Sequence, residues 1–196
     1  YESTALSVYI PDSVQTIGDS AFQSSALINV TIPGSVKKIG NDAFYDVSNL
    51  VSATVANGVE TIGEQAFRGC TSLTYMDFPA SITSVGAGAF MSCDKMTSVR
   101  FMPSDKTAEI GDNIFSACRN LIKVTLPQGA TCISPGMFAS CSSLPTLYIP
   151  KSVKNIGEGA FHSCGFLTTI YFGGSETEWE SLLNPYIRPT FQGKQI

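Results

Sequence analysis

The sequence predicts a solenoid, a fold in which short repeats stack as successive coils. Its phenylalanines recur at spacings of 22, 23, 23, 25, 23 and 23 residues, which we call the Phe column: Phe22, Phe44, Phe67, Phe90, Phe115, Phe138 and Phe161. The string Ile-Pro-x-Ser-Val-x-x-Ile-Gly-x-x-Ala-Phe recurs nearly intact at residues 10–22, 32–44 and 149–161. A fixed period of roughly 20–50 residues is the signature of repeat architectures. We therefore expect one domain of about eight coils from the 196 residues.

Other residue types recur with the same period as the Phe column. A glycine stands four residues before it at Gly18, Gly40, Gly63, Gly86, Gly111 and Gly157, with Ser134 as the exception. A cysteine follows it by three residues at Cys70, Cys93, Cys118, Cys141 and Cys164. The next repeat opens with Leu27, Leu50, Leu73, Met96, Leu121, Leu144 or Leu167. One coil cannot cover so many apolar side chains by itself, so neighbouring coils must cover them by stacking.

Each repeat divides into three predicted pieces. The segment Leu-x-x-Val-x-Ile-Pro alternates apolar and polar positions, which predicts a half-buried strand that ends at the proline. The stretch Ser-Val-x-x-Ile-Gly predicts a second, shorter extended piece in which the glycine turns the chain. The following x-x-Ala-Phe-x-x-Cys predicts a single tight helical turn.

These linked columns resemble the BspA-like class of leucine-rich repeat, also called the Treponema type, over about residues 1–183. The resemblance implies a curved leucine-rich repeat solenoid with a parallel sheet on its concave face and short extended or 3-10 segments on its convex side. It also implies a bacterial protein, cell-surface or secreted, that serves adhesion or binds a protein or glycan of a host or a neighbouring microbe.

Both ends of the chain carry a signal. Tyr1 falls in the Phe column, so we expect the chain to begin within a repeat, as a fragment of a longer protein. Near the other end, Ser175-x-x-Glu178 is a capping-box pattern that begins a helix. Trp179, Leu182 and Leu183 would form one face of this helix. We thus predict a repeat domain over 1–183 with a cap near 175–183, and a tail or linker over 184–196.

The composition argues against several classes of partner. Lys and Arg number 12 and Asp and Glu 16, for a net charge of -4, whereas phosphate-driven nucleic-acid binders carry a basic excess. No apolar run approaches the roughly 18 residues that a membrane-spanning helix needs, so we expect no membrane insertion by this stretch. Oligomeric state is left open.

The cysteines and the single histidine offer little chemistry. No Cys-x-x-Cys pair suits zinc, and side-by-side cysteines on stacked coils would hold their sulfurs at the wrong dihedral for a disulfide. Buried thiols are therefore the prediction for the ladder, with disulfides or a metal as alternatives, and Cys132 is the candidate exposed thiol. His162 is the only histidine and is expected at the surface. We predict no catalytic residues, no metal and no cofactor.

The variable positions are the better candidates for function. The two residues that flank the central Val of each strand point away from the core, and unlike the core columns they vary. The candidate ligand-binding residues there are Tyr9, Tyr75, Asp77, Arg100, Lys123, Tyr148 and Tyr171. Tyrosine and arginine often anchor interfaces. The competing interpretation is that Thr and Tyr simply suit an exposed strand and that Asp77–Arg100 is an ordinary surface ion pair.

Two functional hypotheses follow. The chain is a non-catalytic binding or adhesion module, or a structural stalk that presents another domain at the cell surface. An exposed patch uniting Tyr75, Tyr148 and Tyr171 would favour binding, whereas a uniform Ser/Thr face would favour the stalk. One repeat is irregular, because two extra residues lie within Met102–Glu109, and we expect a surface bulge there.

Overall fold

The computed structural model describes residues 6–183, which form a parallel-strand solenoid of about seven turns with one C-terminal helix. The long strands are β1 (Ser7–Tyr9), β3 (Asn29–Ile32), β5 (Ser52–Val55), β7 (Tyr75–Phe78), β9 (Ser98–Phe101), β11 (Lys123–Thr125), β13 (Thr146–Ile149) and β15 (Thr169–Phe172). The short strands are β2 (Thr16–Ile17), β4 (Lys38–Ile39), β6 (Thr61–Ile62), β8 (Ser84–Val85), β10 (Glu109–Ile110), β12 (Cys132–Ile133) and β14 (Asn155–Ile156). The eighth long strand leads into helix α1 (Glu176–Leu182), which is why eight predicted coils give only seven full turns.

Equivalent positions of successive repeats pair in parallel register. Val30 lies beside Ala53 in the long strands, for example, and Ile39 beside Ile62 in the short ones. The long-strand ladder is divided into β1-β3-β5, β7-β9-β11 and β13-β15. The short-strand ladder runs unbroken from β2 to β10 and resumes as β12-β14. Among residues 6–183, no helix has the length and apolar character needed to span a membrane.

The Phe column forms a continuous stack through the core, and all of its members from Phe44 onward are buried. Ring centroids of successive members are 5.1, 4.8 and 5.1 Å apart from Phe22 to Phe90. The next three separations, from Phe90 to Phe161, are 6.1, 5.9 and 5.9 Å. The wider spacing begins across the repeat that carries the two extra residues.

The segment around each Phe is a run of turns instead of the predicted single helical turn. Ser20 and Ser24 have left-handed φ values of 54° and 53°, which interrupt a right-handed helical path. Alternate N–H groups then point to the next coil: those of Ser20, Phe22 and Ser24 each donate to a carbonyl there, at 2.8 Å. The segment departs from a helix because these donors bond between coils.

From Gly40 onward, close approach of the coils requires the column glycines, which corrects the prediction that they turn the chain; Gly18, in the first coil, has open space beside it. None of the six has a left-handed φ. The N–H of Gly63 donates to the Ile39 carbonyl at 2.9 Å, and a Cβ on Gly63 would lie only 2.6 Å from the backbone N of Asn41. Backbone at that distance leaves no room for a side chain.

Ser134 shows what happens when this column is not glycine. In five other coils the column N–H donates to the carbonyl one coil back, at 2.7 to 2.9 Å. Ser134 is buried, and its hydroxyl donates instead to the Ile110 carbonyl at 2.6 Å. The short-strand ladder breaks at this place, between β10 and β12. The Ser134 side chain thus occupies the space through which the coils would otherwise join.

The irregular repeat forms a surface loop, as expected. The Met102 N–H still donates to the Phe78 carbonyl at 3.0 Å, and the Ser104 hydroxyl donates to the Ala80 carbonyl at 2.6 Å. These two bonds hold the loop against the preceding coil, and most of its side chains are exposed or half-buried.

Helix α1 begins with the predicted capping box. The Glu178 N–H donates to Ser175 Oγ at 3.2 Å, and the Ser175 N–H donates to Glu178 Oε2 at 2.8 Å. Trp179 is buried, and its ring centroid lies 5.6 Å from that of Phe172. Leu182 and Leu183 are buried as well, so the predicted apolar face covers the last coil. The interpretations of Tyr1 and of residues 184–196 lie outside the described residues.

We predict that Gly63→Ala lowers the free energy of unfolding by about 1–3 kcal/mol or more, because the new methyl group must push two coils apart. The measurement is urea denaturation followed by circular dichroism. Gly165→Ala is the matched control: its Cβ would meet nothing within 4 Å and its φ is ordinary. A similar loss in both variants would show that backbone freedom, and not coil spacing, selects glycine.

We predict that Ser134→Ala costs about 1–3 kcal/mol, because the Ile110 carbonyl loses its buried donor while the Cβ still separates the coils. Ser134→Gly should cost less, since removing the Cβ lets the backbone N–H reach that carbonyl as in the other coils. The same urea titration compares them. A Ser134→Gly protein less stable than Ser134→Ala would contradict this account of the break.

Candidate binding face

The outward side chains of the long strands form a continuous surface, which we call the strand face. Side chains alternate along a strand, and β7 shows the pattern: Met76 and Phe78 are buried, while Tyr75 and Asp77 point outward. The same alternation in the other long strands places all seven predicted residues on this face. The turns and the short strands leave it uncovered within residues 6–183, because they lie on the other side of the core.

A charged cluster occupies the middle of the strand face, on β7, β9 and β11. Arg100 forms a two-pronged ion pair with Asp77: Nη2 donates to Oδ2 at 2.5 Å and Nε donates to Oδ1 at 3.2 Å. This hydrogen-bonded carboxylate raises the pKa of Arg100. Tyr75 is 40% exposed and is aligned with Ser98, which is aligned in turn with Lys123. Tyr75, Asp77, Arg100 and Lys123 therefore form one cluster, in which the Asp77–Arg100 ion pair carries almost no net charge.

A pair of tyrosines occupies the C-terminal end of the strand face. Tyr148 on β13 is aligned with Tyr171 on β15, and each is 58% exposed. Thr146 and Thr169, two residues earlier, are aligned in the same way. The two tyrosines are thus attached one strand spacing, about 4.8 Å, apart, beside two threonines.

Tyr9 stands apart from both groups. It is 82% exposed on β1, and the next two strands carry only small polar side chains on this face: Asn29, Thr31, Ser52 and Thr54. Two further strands, β9 and β11, lie between Tyr75 and the tyrosine pair. Tyr75 therefore does not form one patch with Tyr148 and Tyr171, because β7 lies three strand spacings from β13.

Polar groups that were not among the predicted site residues lie beside the tyrosine pair. A Cβ on Gly173 would lie 2.9 Å from Tyr148 Oη, so this hydroxyl lies over the end of β15. Nearby, Lys151 Nζ is 3.8 Å from Glu178 Oε1. Glu178 belongs to the capping box of helix α1, and Lys151 lies two residues after the end of β13. Their proximity depends on how the cap folds back on the preceding coil.

The cysteine ladder is buried inside the solenoid, as predicted, and all six cysteines are thiols. Each ladder thiol donates to the carbonyl of a Phe-column residue in the preceding coil, at 2.9 to 3.2 Å. Burial raises the pKa of Cys70 to about 12 and also raises the pKa of Cys93 and Cys141. Cys132 lies outside the ladder and is exposed.

Residues 6–183 place no group of three or more His, Cys, Asp or Glu side chains where they could hold a metal ion. His162 lies at the surface, as predicted, in the turn segment after Phe161. It is therefore remote from the strand face, on the opposite side of the core.

Comparison with known proteins identifies the repeat. Residues 1–107 and 61–183 match a family model described as a BspA-type leucine-rich repeat region, with six copies. The chain belongs to the BspA-type leucine-rich repeat family. No curated protein was found to be similar to this BspA-type chain.

Solved structures of bacterial leucine-rich repeat proteins share the BspA-type fold seen here. One from Bacteroides ovatus is 30% identical, with a TM-score of 0.73, over 81% of this chain and 41% of its own length. The Treponema pallidum leucine-rich repeat protein is 27% identical, with a TM-score of 0.74, over 89% of this chain and 80% of its own. This BspA-type chain thus spans about two fifths of the first relative and four fifths of the second.

We predict that one thiol of the six reacts rapidly with Ellman's reagent in the folded BspA-type domain at pH 8, and that all six react in denaturant. The thiolate is the reactive form. Burial keeps the ladder thiols away from the reagent, and it also raises the pKa of Cys70, Cys93 and Cys141. Cys132→Ser should abolish the rapid reaction, while Cys70→Ser should leave it unchanged. Rapid reaction of two or more thiols in the folded protein would contradict this assignment.

Proposed function

We propose that this chain is a non-catalytic binding module, displayed at the cell surface or secreted, that engages a protein or glycan of a host or neighbouring microbe through its strand face. The observation that carries the proposal is a difference between the inward and outward positions of each repeat. Inward positions repeat the same few residues in every coil, whereas the outward positions of the long strands differ from coil to coil.

The chemistry of the strand face supports binding. Tyrosine combines a large apolar ring with a polar hydroxyl, and arginine offers several donors in a fixed plane, so both contribute strongly to interfaces. Four tyrosines lie on this face with 40 to 82% of their surface exposed. We infer that affinity is built from several shallow contacts spread along the strands.

The absence of catalysis is part of the proposal. On the described strand face the charged members of the middle cluster are the paired Asp77 and Arg100, together with Lys123. An acid–base reaction needs titratable groups that converge on one reacting atom. The paired arrangement positions Arg100 to donate hydrogen bonds and engages Asp77, the one carboxylate of this cluster.

A stalk remains the second candidate, and one observation favours it for the N-terminal coils. Between Tyr9 and Tyr75 the strand face presents only Asn29, Thr31, Ser52 and Thr54. Such small polar side chains keep a sheet hydrated and offer little area to a ligand. We propose that these coils act chiefly as a spacer for the coils from β7 onward, which carry the charged cluster and the tyrosine pair.

The test is binding of the full 196-residue chain to an array of immobilised glycans and host proteins. We expect at least one ligand, and we expect Arg100→Ala or Tyr148→Ala to weaken it by about tenfold. Tyr45→Ala is the matched control, because Tyr45 lies in a turn segment near Arg68, outside the strand face. If the array yields no ligand, or if Tyr45→Ala weakens binding as much as the two strand-face variants, the proposal fails.

A further inference from the structure

We propose that the Tyr148–Tyr171 pair binds a neutral glycan chain that runs across strands β13 and β15. This inference rests on the proposed function and narrows it to one chemical class at one end of the strand face. It is drawn from the alignment of the two tyrosines on neighbouring strands, the threonines around them and the local balance of charge.

The spacing of the rings suits a chain of sugar units. Tyr148 and Tyr171 are directly aligned on hydrogen-bonded strands, so their attachment points are about 4.8 Å apart. That distance is close to the length of one sugar unit in an extended glycan. Aromatic rings pack well against the C–H faces of sugars, because the ring is apolar and its π-face carries partial negative charge. Each ring can therefore contact one unit of the same chain.

The surroundings of the rings are rich in hydroxyl groups. Thr146 and Thr169 lie on the same two strands, and Thr125 is the outward residue at the end of the preceding long strand. A threonine hydroxyl both donates and accepts, which matches the mixed hydrogen bonding of sugar hydroxyls. A polar surface of this kind also binds through bridging waters without great loss of affinity.

Local charge favours a neutral ligand over an acidic one. Lys151 lies beside the tyrosine pair, and its Nζ is 3.8 Å from Glu178 Oε1, so the carboxylate offsets the charge of the lysine. Further along the face, Arg100 is engaged by Asp77. A sialylated or sulfated glycan would therefore meet an opposing carboxylate beside each of these two cations. On the described strand face, Lys123 on β11 is the one cation that no carboxylate pairs with. Lys151 and Glu178 together can instead donate to and accept from neutral hydroxyls.

A protein ligand is less well suited to this end of the face. The core of a protein interface is apolar and desolvated around its aromatic anchors. Here the outward neighbours of the two tyrosines are threonines, and the exposed Ile122 and Phe166 lie outside the two outward columns. The tyrosines thus form a narrow aromatic strip with a polar border on the strand face.

The experiment uses the full chain on a printed array of neutral and acidic oligosaccharides, together with immobilised mucin, intact and enzymatically deglycosylated. We expect binding to neutral glycans and to intact mucin. The double variant Tyr148→Ala/Tyr171→Ala should weaken both by about tenfold or more, since it removes two ring contacts. Tyr148→Phe/Tyr171→Phe keeps the rings and should bind within a few-fold of the parent chain. Tyr45→Ala, at a tyrosine in a turn segment outside the strand face, should bind normally.

The other outcomes are distinguishable. Binding confined to acidic glycans, or equal binding to deglycosylated mucin, overturns the neutral-glycan proposal but leaves a binding module in place. Full binding by the double alanine variant, with its thermal unfolding unchanged, moves the glycan site elsewhere and overturns the assignment to this pair. If the parent chain binds neither the array, nor mucin, nor the host proteins tested above, both this inference and the proposed function fail.

Discussion

The architecture depends on backbone hydrogen bonds between coils, which bring successive repeats to a separation of about one strand spacing. The N–H of Gly63 reaches the Ile39 carbonyl only because no side chain intervenes. The same bonding continues through the turn segments, where alternate N–H groups donate to the next coil. Once this spacing is set, the phenylalanines of the Phe column stack ring on ring along the core.

The cysteine ladder follows from the same constraint. A coil spaced so closely leaves a small buried site beside each Phe carbonyl, and a thiol fills it while satisfying that carbonyl. Val47 takes the same position in the second coil and is fully buried, so the site accepts a small apolar side chain as well. The thiols therefore serve packing, and their number reflects the number of coils.

Residue variation that could serve function is confined to the positions that the stacking of coils leaves exposed. Inward columns cannot change without disturbing two neighbouring coils, whereas outward strand positions face solvent and tolerate many residue types. The strand face is nonetheless not uniform: small polar side chains on β3 and β5 separate Tyr9 from the charged cluster, and the ladder is interrupted both before β7 and before β13. The charged cluster lies within one unbroken group of strands, and the tyrosine pair lies within another.

The sequence by itself determined the repeat, the inward and outward alternation, the burial of the cysteine ladder and the capping box at Ser175, because each depends on a local pattern copied along the chain. It also placed Asp77 and Arg100 on neighbouring strands, one period apart. Only the tertiary structure decided why the column glycines are glycine and why Ser134 coincides with a break, since both depend on distances between coils. The helical turn was predicted wrongly for the same reason: its donors are used across coils, which the local pattern does not reveal. Likewise, the separation of Tyr75 from the tyrosine pair, and the position of Lys151 beside Glu178, follow from how strands and cap are arranged in space.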